Sequence, residues 1–318
     1  VSEARSESGV PYGGTFDSDF ERKLEGLALV ARRAFEGRFR AERRSKRSGT
    51  GIEFADHREY VPGDDFRFVD VPLFARSGKL FVKLFEEEED LAVHVLVDVS
   101  KSMSWAPSAP QGATRAPAGS KLLFARRIAA GLAYIALSGL DRVSISTLSD
   151  GRVKTLPHVR GKARIHRVLD FLAHEDHASM GLQGTTDLAS AAQSFVAQTK
   201  RRGLVILLSD FYAEGIESAI DRLRHARFEV VVLHLWDAEE AQKLGTGDLE
   251  LVDRETGERR HITMTPETQA RFVEAQAKQR ARVGAACRSK QVLHIELPLS
   301  RTWDDAVLRV LARGGLVA

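Results

Sequence analysis

Residues 91–103 read Leu91-Ala92-Val93-His94-Val95-Leu96-Val97-Asp98-Val99-Ser100-Lys101-Ser102-Met103. A nearly continuous apolar run ends at an acid followed by two spaced hydroxyls. A strand with no polar face must be covered on both sides, which is the situation of a central parallel strand. Residues 204–208 repeat the pattern and run into Ser209-Asp210. Around these two runs the periodicity alternates. Helical spacing is read at 121–140, 163–172, 188–199 and 216–226, and strands at 142–149, 152–156 and 228–235. Asp150-Gly151 joins two of those strands as a hairpin turn. Strands and helices in this alternation predict an α/β fold, a doubly wound, mostly parallel sheet with helices on both faces.

Working outward, residues 249–264 predict a hairpin turning near Glu255-Thr256-Gly257. Thr265-Pro266 opens a long helix, with proline at the first helical position. A last strand at 292–297 and a last helix at 303–313 follow. On the N-terminal side, residues 1–15 are polar and Gly-rich and are expected to be a disordered tail. Ser18 and Glu21 fit a capping box, and Phe20, Leu24, Leu27, Ala31 and Phe35 place a helix over 19–36. Residues 50–90 read as extended. Tyr60-Val61-Pro62-Gly63-Asp64-Asp65 is a turn, and Phe66, Phe68, Leu80, Val82 and Leu84 alternate as in half-buried strands. The expected organisation is a tail over 1–15, a helix and β extension over 16–89, and the α/β domain with C-terminal additions over 90–318. Residues 106–120, rich in Ala, Pro, Ser and Gly, are expected to be mobile.

Composition narrows the function. Hydrophobic residues at 43% and charged residues at 29% are an ordinary balance that can build a core. A net charge of +3 is too small to imply a nucleic-acid protein by itself. With one cysteine, Cys287, no internal disulfide can form, which fits a reducing compartment. No apolar run is long enough to span a bilayer, and Val1-Ser2-Glu3-Ala4-Arg5 leads into no leader-like segment. The expectation is a soluble, cytoplasmic protein.

Three features converge, two of them placed on one sheet edge by chain order and the third on a loop at a helix N-terminus that can lie on the same edge. Asp98, Ser100 and Ser102 follow the first buried strand, Ser209-Asp210 follows the second, and Gly184-Thr185-Thr186-Asp187 precedes a helix. Ligands of doubly wound sheets bind beyond the carboxyl ends of the strands. Hydroxyls and carboxylates are hard oxygen donors that suit Mg²⁺ or Mn²⁺ rather than zinc. Ser100, Ser102 and Thr186 are the expected direct ligands. Asp98 and Asp210 are expected to act mostly through water and to supply negative charge. Each feature taken alone has a bland reading, because Asp and Ser also make turns and helix caps.

Asp98-x-Ser100-x-Ser102 with Thr186 and Asp210 resembles the metal-ion-dependent adhesion site of von Willebrand factor A domains. The upstream region is more specific. Gly51-Ile52-Glu53-Phe54, then Arg58-Glu59-Tyr60-Val61-Pro62-Gly63-Asp64-Asp65-Phe66-Arg67, Asp70 and Ala75-Arg76 resemble a bacterial family of unknown function. That family (domain of unknown function, family fifty-eight) carries such a segment ahead of a von Willebrand factor A-like domain. Asp253-Arg254-Glu255-Thr256-Gly257-Glu258 is similar to a late segment of it. The chain departs at Val71, where the family often has Trp. The resemblance implies a non-enzymatic adaptor. Its Mg²⁺ (or Mn²⁺) would be completed by an acidic side chain of a protein partner, a MoxR-type AAA+ ATPase or its client.

Two other readings stand beside it. Asp98 at a strand end could be a phosphoryl-accepting nucleophile with Mg²⁺. Ser100, however, stands where a second carboxylate would be expected, and the chain lacks the P-loop and G-x-S-x-G patterns. The basic residues Arg38, Arg40, Arg43, Arg44, Lys46 and Arg47 could bind nucleic acid, or could pair with acidic surface such as the run Glu86 to Asp90. The Pro-Gly-Asp-Asp segment reads either as a functional surface or as a structural turn with ion pairs. The ten histidines give no metal signal; His158, His166, His174 and His177 lie near one another in sequence, and His174 and His177 read as a solvated helix end rather than a metal pair.

Overall fold

The computed structural model describes residues 12, 15–42, 44–47, 53–88, 92–104, 119–174, 187–240, 245–252 and 258–313. The chain divides into two compact units, Arg32–Asp90 and Val1–Ala31 with Leu91–Leu316. Helix α1 (Ser18–Glu42) begins in one and ends in the other.

The larger unit is built on a six-stranded sheet. Its strands are β4 (Ala92–Asp98), β5 (Arg142–Ser149), β6 (Arg152–Arg160), β7 (Leu204–Ser209), β8 (Glu229–Trp236) and β11 (Leu293–Pro298), in spatial order β11-β8-β7-β4-β5-β6. Every neighbouring pair is parallel except β5 with β6. The two apolar runs are the two central strands, buried along their whole lengths. Because β5 lies on one side of β4 and β7 on the other, the winding reverses between β4 and β7. That crevice is where doubly wound sheets take ligands.

Helices cover both faces. Helix α3 (Lys121–Ser138) is apolar nearly all round and buried, as a helix enclosed between layers must be. It packs with α4 (Ile165–His174) and α8 (Trp303–Arg313). On the opposite face Leu188, Ala191 and Phe195 of α5 (Leu188–Gln198), Ile220 and Leu223 of α6 (Ile216–His225) and Val283 of α7 (Pro266–Ser289) share one core with Leu96, Leu207 and Val232. A separate hairpin, β9 (Gly247–Val252) with β10 (Arg259–Met264), precedes α7. Thr265 caps α7 by accepting from the Thr268 N–H, and Pro266 follows as expected.

Two local readings of the N-terminal stretch are corrected. Helix α1 is capped by Asp17, whose Oδ1 accepts from the Phe20 N–H at 2.7 Å, rather than by Ser18, and it runs to Glu42. In its first half Phe20, Leu24, Leu27 and Ala31 are buried. Phe66 and Phe68 do not lie in a strand but in a 3-10 turn (Phe66–Phe68), followed by α2 (Val71–Ser77). Asp65 caps the first and Asp70 the second. A short polar side chain before each helical turn outweighs the alternation of the phenylalanines, and Phe66 is 68% exposed.

The smaller unit holds an antiparallel sheet of β1 (Arg44–Arg47), β3 (Phe81–Glu88) and β2 (Glu53–Glu59), in that order. The register sets Arg44 across from Glu88 and Lys46 across from Glu86. The Pro-Gly-Asp-Asp segment is a built turn. Asp64 accepts from Arg58 and from the Val61 N–H, both at 2.8 Å. Asp65 pairs with Arg67, and Asp70 accepts from His57 at 2.8 Å. Each carboxylate there closes a local loop. The expected mobile segment 106–120 lies mostly outside the described residues, as do His177 and the Asp253–Gly257 portion of the late segment.

Candidate metal centre

Asp98 ends β4 and is fully buried. Its Oδ1 accepts from the Ser100 N–H at 2.8 Å, and its Oδ2 accepts from the Ser209 hydroxyl at 2.6 Å. Ser209 is the last residue of β7, so this bond closes the crevice between the two central strands. The first contact is an Asx turn, which bends the chain just beyond β4. Ser100 Oγ lies 3.0 Å from Ser102 Oγ, and Ser102 donates to Asp210 Oδ1 at 3.4 Å. Asp210 is itself aimed by the Tyr212 N–H, at 3.2 Å from the same oxygen. Four of the five expected site residues, Asp98, Ser100, Ser102 and Asp210, are therefore brought together.

The fifth, Thr186, lies outside the described residues. Its neighbour Asp187 caps α5 by accepting from the Ala189 N–H at 2.9 Å, and it forms a backbone bridge with Glu214. Asp187 thus lies beside the loop after β7. The approach is close. A Cβ on Gly215, which has a φ of +90°, would stand 3.0 Å from Asp187 Oδ1 and 3.1 Å from the Ala189 nitrogen, so glycine is required there.

The donor set fits a hard divalent cation. Octahedral oxygens at the usual magnesium distance of about 2.1 Å stand about 3.0 Å from one another. The two serine oxygens have that separation, and Asp210 Oδ1 is only slightly wider. Two carboxylates lie 0% and 2% exposed beside them. Burial first, and the charge of Asp210 second, push the Asp98 carboxyl up to about 7, against the pull of its bonds from Ser209 and Ser100. A site that holds a carboxylate at this cost is one that a cation stabilises. Among the described residues no cluster of three or more His, Cys, Asp or Glu competes for a metal.

One residue was not expected here. Lys121, the first residue of α3, is 2% exposed, and its ammonium lies 2.7 Å from Asp210 Oδ2 and 3.8 Å from Glu240 Oε1. It also sits over the Tyr212 ring at 4.4 Å. Burial works against its charge, but the carboxylates of Asp210 and Glu240 outweigh that and raise its pKa above the ordinary lysine value. Glu240 Oε2 accepts from Tyr212 at 3.0 Å and from Gln276 of α7 at 2.7 Å. The available sequence signal was a charged residue at the head of a mostly apolar helix, one that also carries Arg126 and Arg127.

The sheet order, the switch point and the hydroxyl-carboxylate loop define a von Willebrand factor A-like α/β domain. The chain belongs to the family described as protein of unknown function DUF58, whose pattern matches residues 56–282. It is similar to the uncharacterised protein Rv1480 of Mycobacterium tuberculosis, with 25% identity over 96% of this chain and 93% of that one. Among solved structures it is similar to the conserved hypothetical protein BatB from Bacteroides thetaiotaomicron, with 15% identity over 71% of this chain and 98% of that one, at a TM-score of 0.43. The SpRpn10 VWA domain gives 11% identity over 69% and 94%, at a TM-score of 0.38. No helix among the described residues is long and apolar enough to cross a membrane.

Proposed function

We propose that this protein is a non-enzymatic, Mg²⁺-dependent (or Mn²⁺-dependent) protein-binding adaptor. Ser100, Ser102 and Thr186 hold the ion directly, Asp98 and Asp210 act on it mostly through water and supply negative charge, and a carboxylate of the partner completes its shell. The observation that carries this is the convergence of Ser100, Ser102 and Asp210 oxygens at ligand-like separations in the β4–β7 crevice. When bound, the ion supplies a positive centre for an acidic side chain. The protein's own residues orient the serines, hold the negative charge and keep bulk water from Asp98. The partner is a MoxR-type AAA+ ATPase or its client, and the setting is cytoplasmic protein maturation or assembly.

The phosphoryl-transfer alternative is less well supported. Both oxygens of Asp98 are engaged by the protein and the residue is fully buried, whereas a nucleophile must face its substrate. The test is calorimetric titration of the MoxR-type ATPase from the same source into the full chain, with Mg²⁺ or with EDTA. Binding that needs Mg²⁺ and is lost in Asp98→Ala is expected. Equal binding in EDTA, or in a folded Asp98→Ala protein, would show that the crevice is not the contact.

A further inference from the structure

The buried ammonium at the metal centre has no part in holding an ion, yet it contacts one of the carboxylates that would. We propose that Lys121 is an internal counter-cation, which occupies Asp210 in the ion-free protein and steps across to Glu240 when the divalent ion binds. The proposal rests on the reading of the crevice as a metal site and adds to it the residue that sets its affinity.

The geometry supports an exchange between two fixed carboxylates. The Lys121 ammonium contacts Asp210 Oδ2 at 2.7 Å and lies 3.8 Å from Glu240 Oε1, so a move of about an ångström changes its partner. The two hydrogen bonds from Tyr212 and Gln276 both fall on Glu240 Oε2. Oε1 is the oxygen that faces Lys121. Those same donors hold Glu240 in place to receive the ammonium. The Tyr212 ring, 4.4 Å from the nitrogen, gives the cation an aromatic face along the way.

Only the side chain needs to travel. Ser120 accepts from the Leu123 N–H, and the Leu122 N–H donates to the Met103 carbonyl at 2.7 Å. The start of α3 is therefore pinned to the loop that carries Ser100 and Ser102. Lysine also suits the task chemically, being a compact charge on a flexible four-carbon stem, unlike the rigid fork of arginine. Packing alone would not call for it, because a lysine 2% exposed is costly unless its charge is used. An ion held by Asp210 Oδ1 would sit within a few ångströms of this ammonium, and like charges at that range in a buried site repel strongly. Either the lysine leaves Asp210 or the ion binds weakly.

Calorimetric titration of the full chain with Mn²⁺ tests this, using Lys121→Met, Glu240→Gln and Asp98→Ala. Lys121→Met is expected to tighten Mn²⁺ binding by about tenfold or more, and Glu240→Gln, which removes the receiving charge, to weaken it by a similar factor. Asp98→Ala should abolish binding in both the wild-type and the Lys121→Met backgrounds. If Lys121→Met does not fold, the lysine side-chain NMR signals of the wild-type chain decide instead, with the Lys121 signal moving as Mg²⁺ is added. Unchanged or weaker Mn²⁺ binding in Lys121→Met, with Asp98→Ala still abolishing it, would overturn the counter-cation and leave the metal site standing. So would a Lys121 signal that stays put at saturating Mg²⁺. No binding by either the wild type or Lys121→Met would overturn the metal reading along with it.

Discussion

The two carboxylates of the crevice should respond in opposite ways when each is replaced by its amide in metal-free protein. Asp98 is fully buried and its carboxyl is pushed up to about 7, against an unfolded value of 3.8. Between those values the native state holds more protons than the unfolded chain. The stability this group contributes is therefore highest at low pH and falls as pH rises through about 7. At pH 8 the native state carries a buried charge that works against folding. Asp98→Asn removes that charge. It keeps an acceptor for the Ser100 N–H but turns a donor toward Ser209, so the net gain should be about 1–2 kcal/mol. Asp210→Asn does the reverse, because it leaves the Lys121 ammonium buried without its 2.7 Å partner. Breaking one side of a buried pair costs about 3–5 kcal/mol. Glu240, at 3.8 Å, recovers part of it, leaving a loss of about 2–4 kcal/mol. Urea denaturation at pH 8 in EDTA, followed by circular dichroism, reads both. Adding Lys121→Met to Asp210→Asn should restore most of the loss. Midpoints that move in the same direction for both amides, or an Asp210→Asn protein as stable as wild type, would refute the charge assignment.

Two further perturbations test the framework around the site. A Cβ on Gly203 would stand 2.1 Å from the Ala92 carbonyl oxygen, which must force β4 and β7 apart at their start. Gly203→Ala should destabilise the chain by about 3 kcal/mol or more in the same urea assay, and a change under 1 kcal/mol would mean that the strands are not so close. His94 is fully buried, lies within hydrogen-bonding distance of Ser144 Oγ at 2.7 Å and the Arg201 carbonyl at 3.1 Å, and is held down to about 4, chiefly by burial. Its native pKa is below the unfolded 6.5, so the native state holds fewer protons between pH 4 and 6.5. Stability is present above that window and lost as pH falls through it, by about 2 kcal/mol between pH 6.5 and 5. A His94→Gln protein should lose correspondingly less over that step, and identical pH slopes would assign the effect elsewhere.

Most of the larger unit was legible along the chain because its signals are local. A strand buried on both faces is apolar nearly throughout, so β4 and β7 could be read from their runs of consecutive apolar residues, and the acids and hydroxyls at their ends marked one edge of the sheet. The long helix after Thr265-Pro266 and the hairpin before it carried their own punctuation. The N-terminal unit was harder. Phenylalanines two apart fit a strand and a 3-10 turn equally well, and what decided between them was Asp65 and Asp70 placed as caps. Asp70-Val71-Pro72 did carry that information, since an acid before a proline in the first turn is a helix start.

The chain by itself determined the α/β class, the two central strands and four oxygen-bearing residues of the crevice, because backbone propensity, burial periodicity and strand-end chemistry are written within a few consecutive residues. Only the tertiary structure decided that β4 and β7 are neighbours with the winding reversed between them, that Ser209 closes onto Asp98, and that Lys121 and Glu240 flank Asp210. Those contacts join residues far apart in sequence, and their energies are those of charges brought together in a place that water does not reach. No local pattern encodes such a meeting. It exists only once the sheet order has set which ends share an edge.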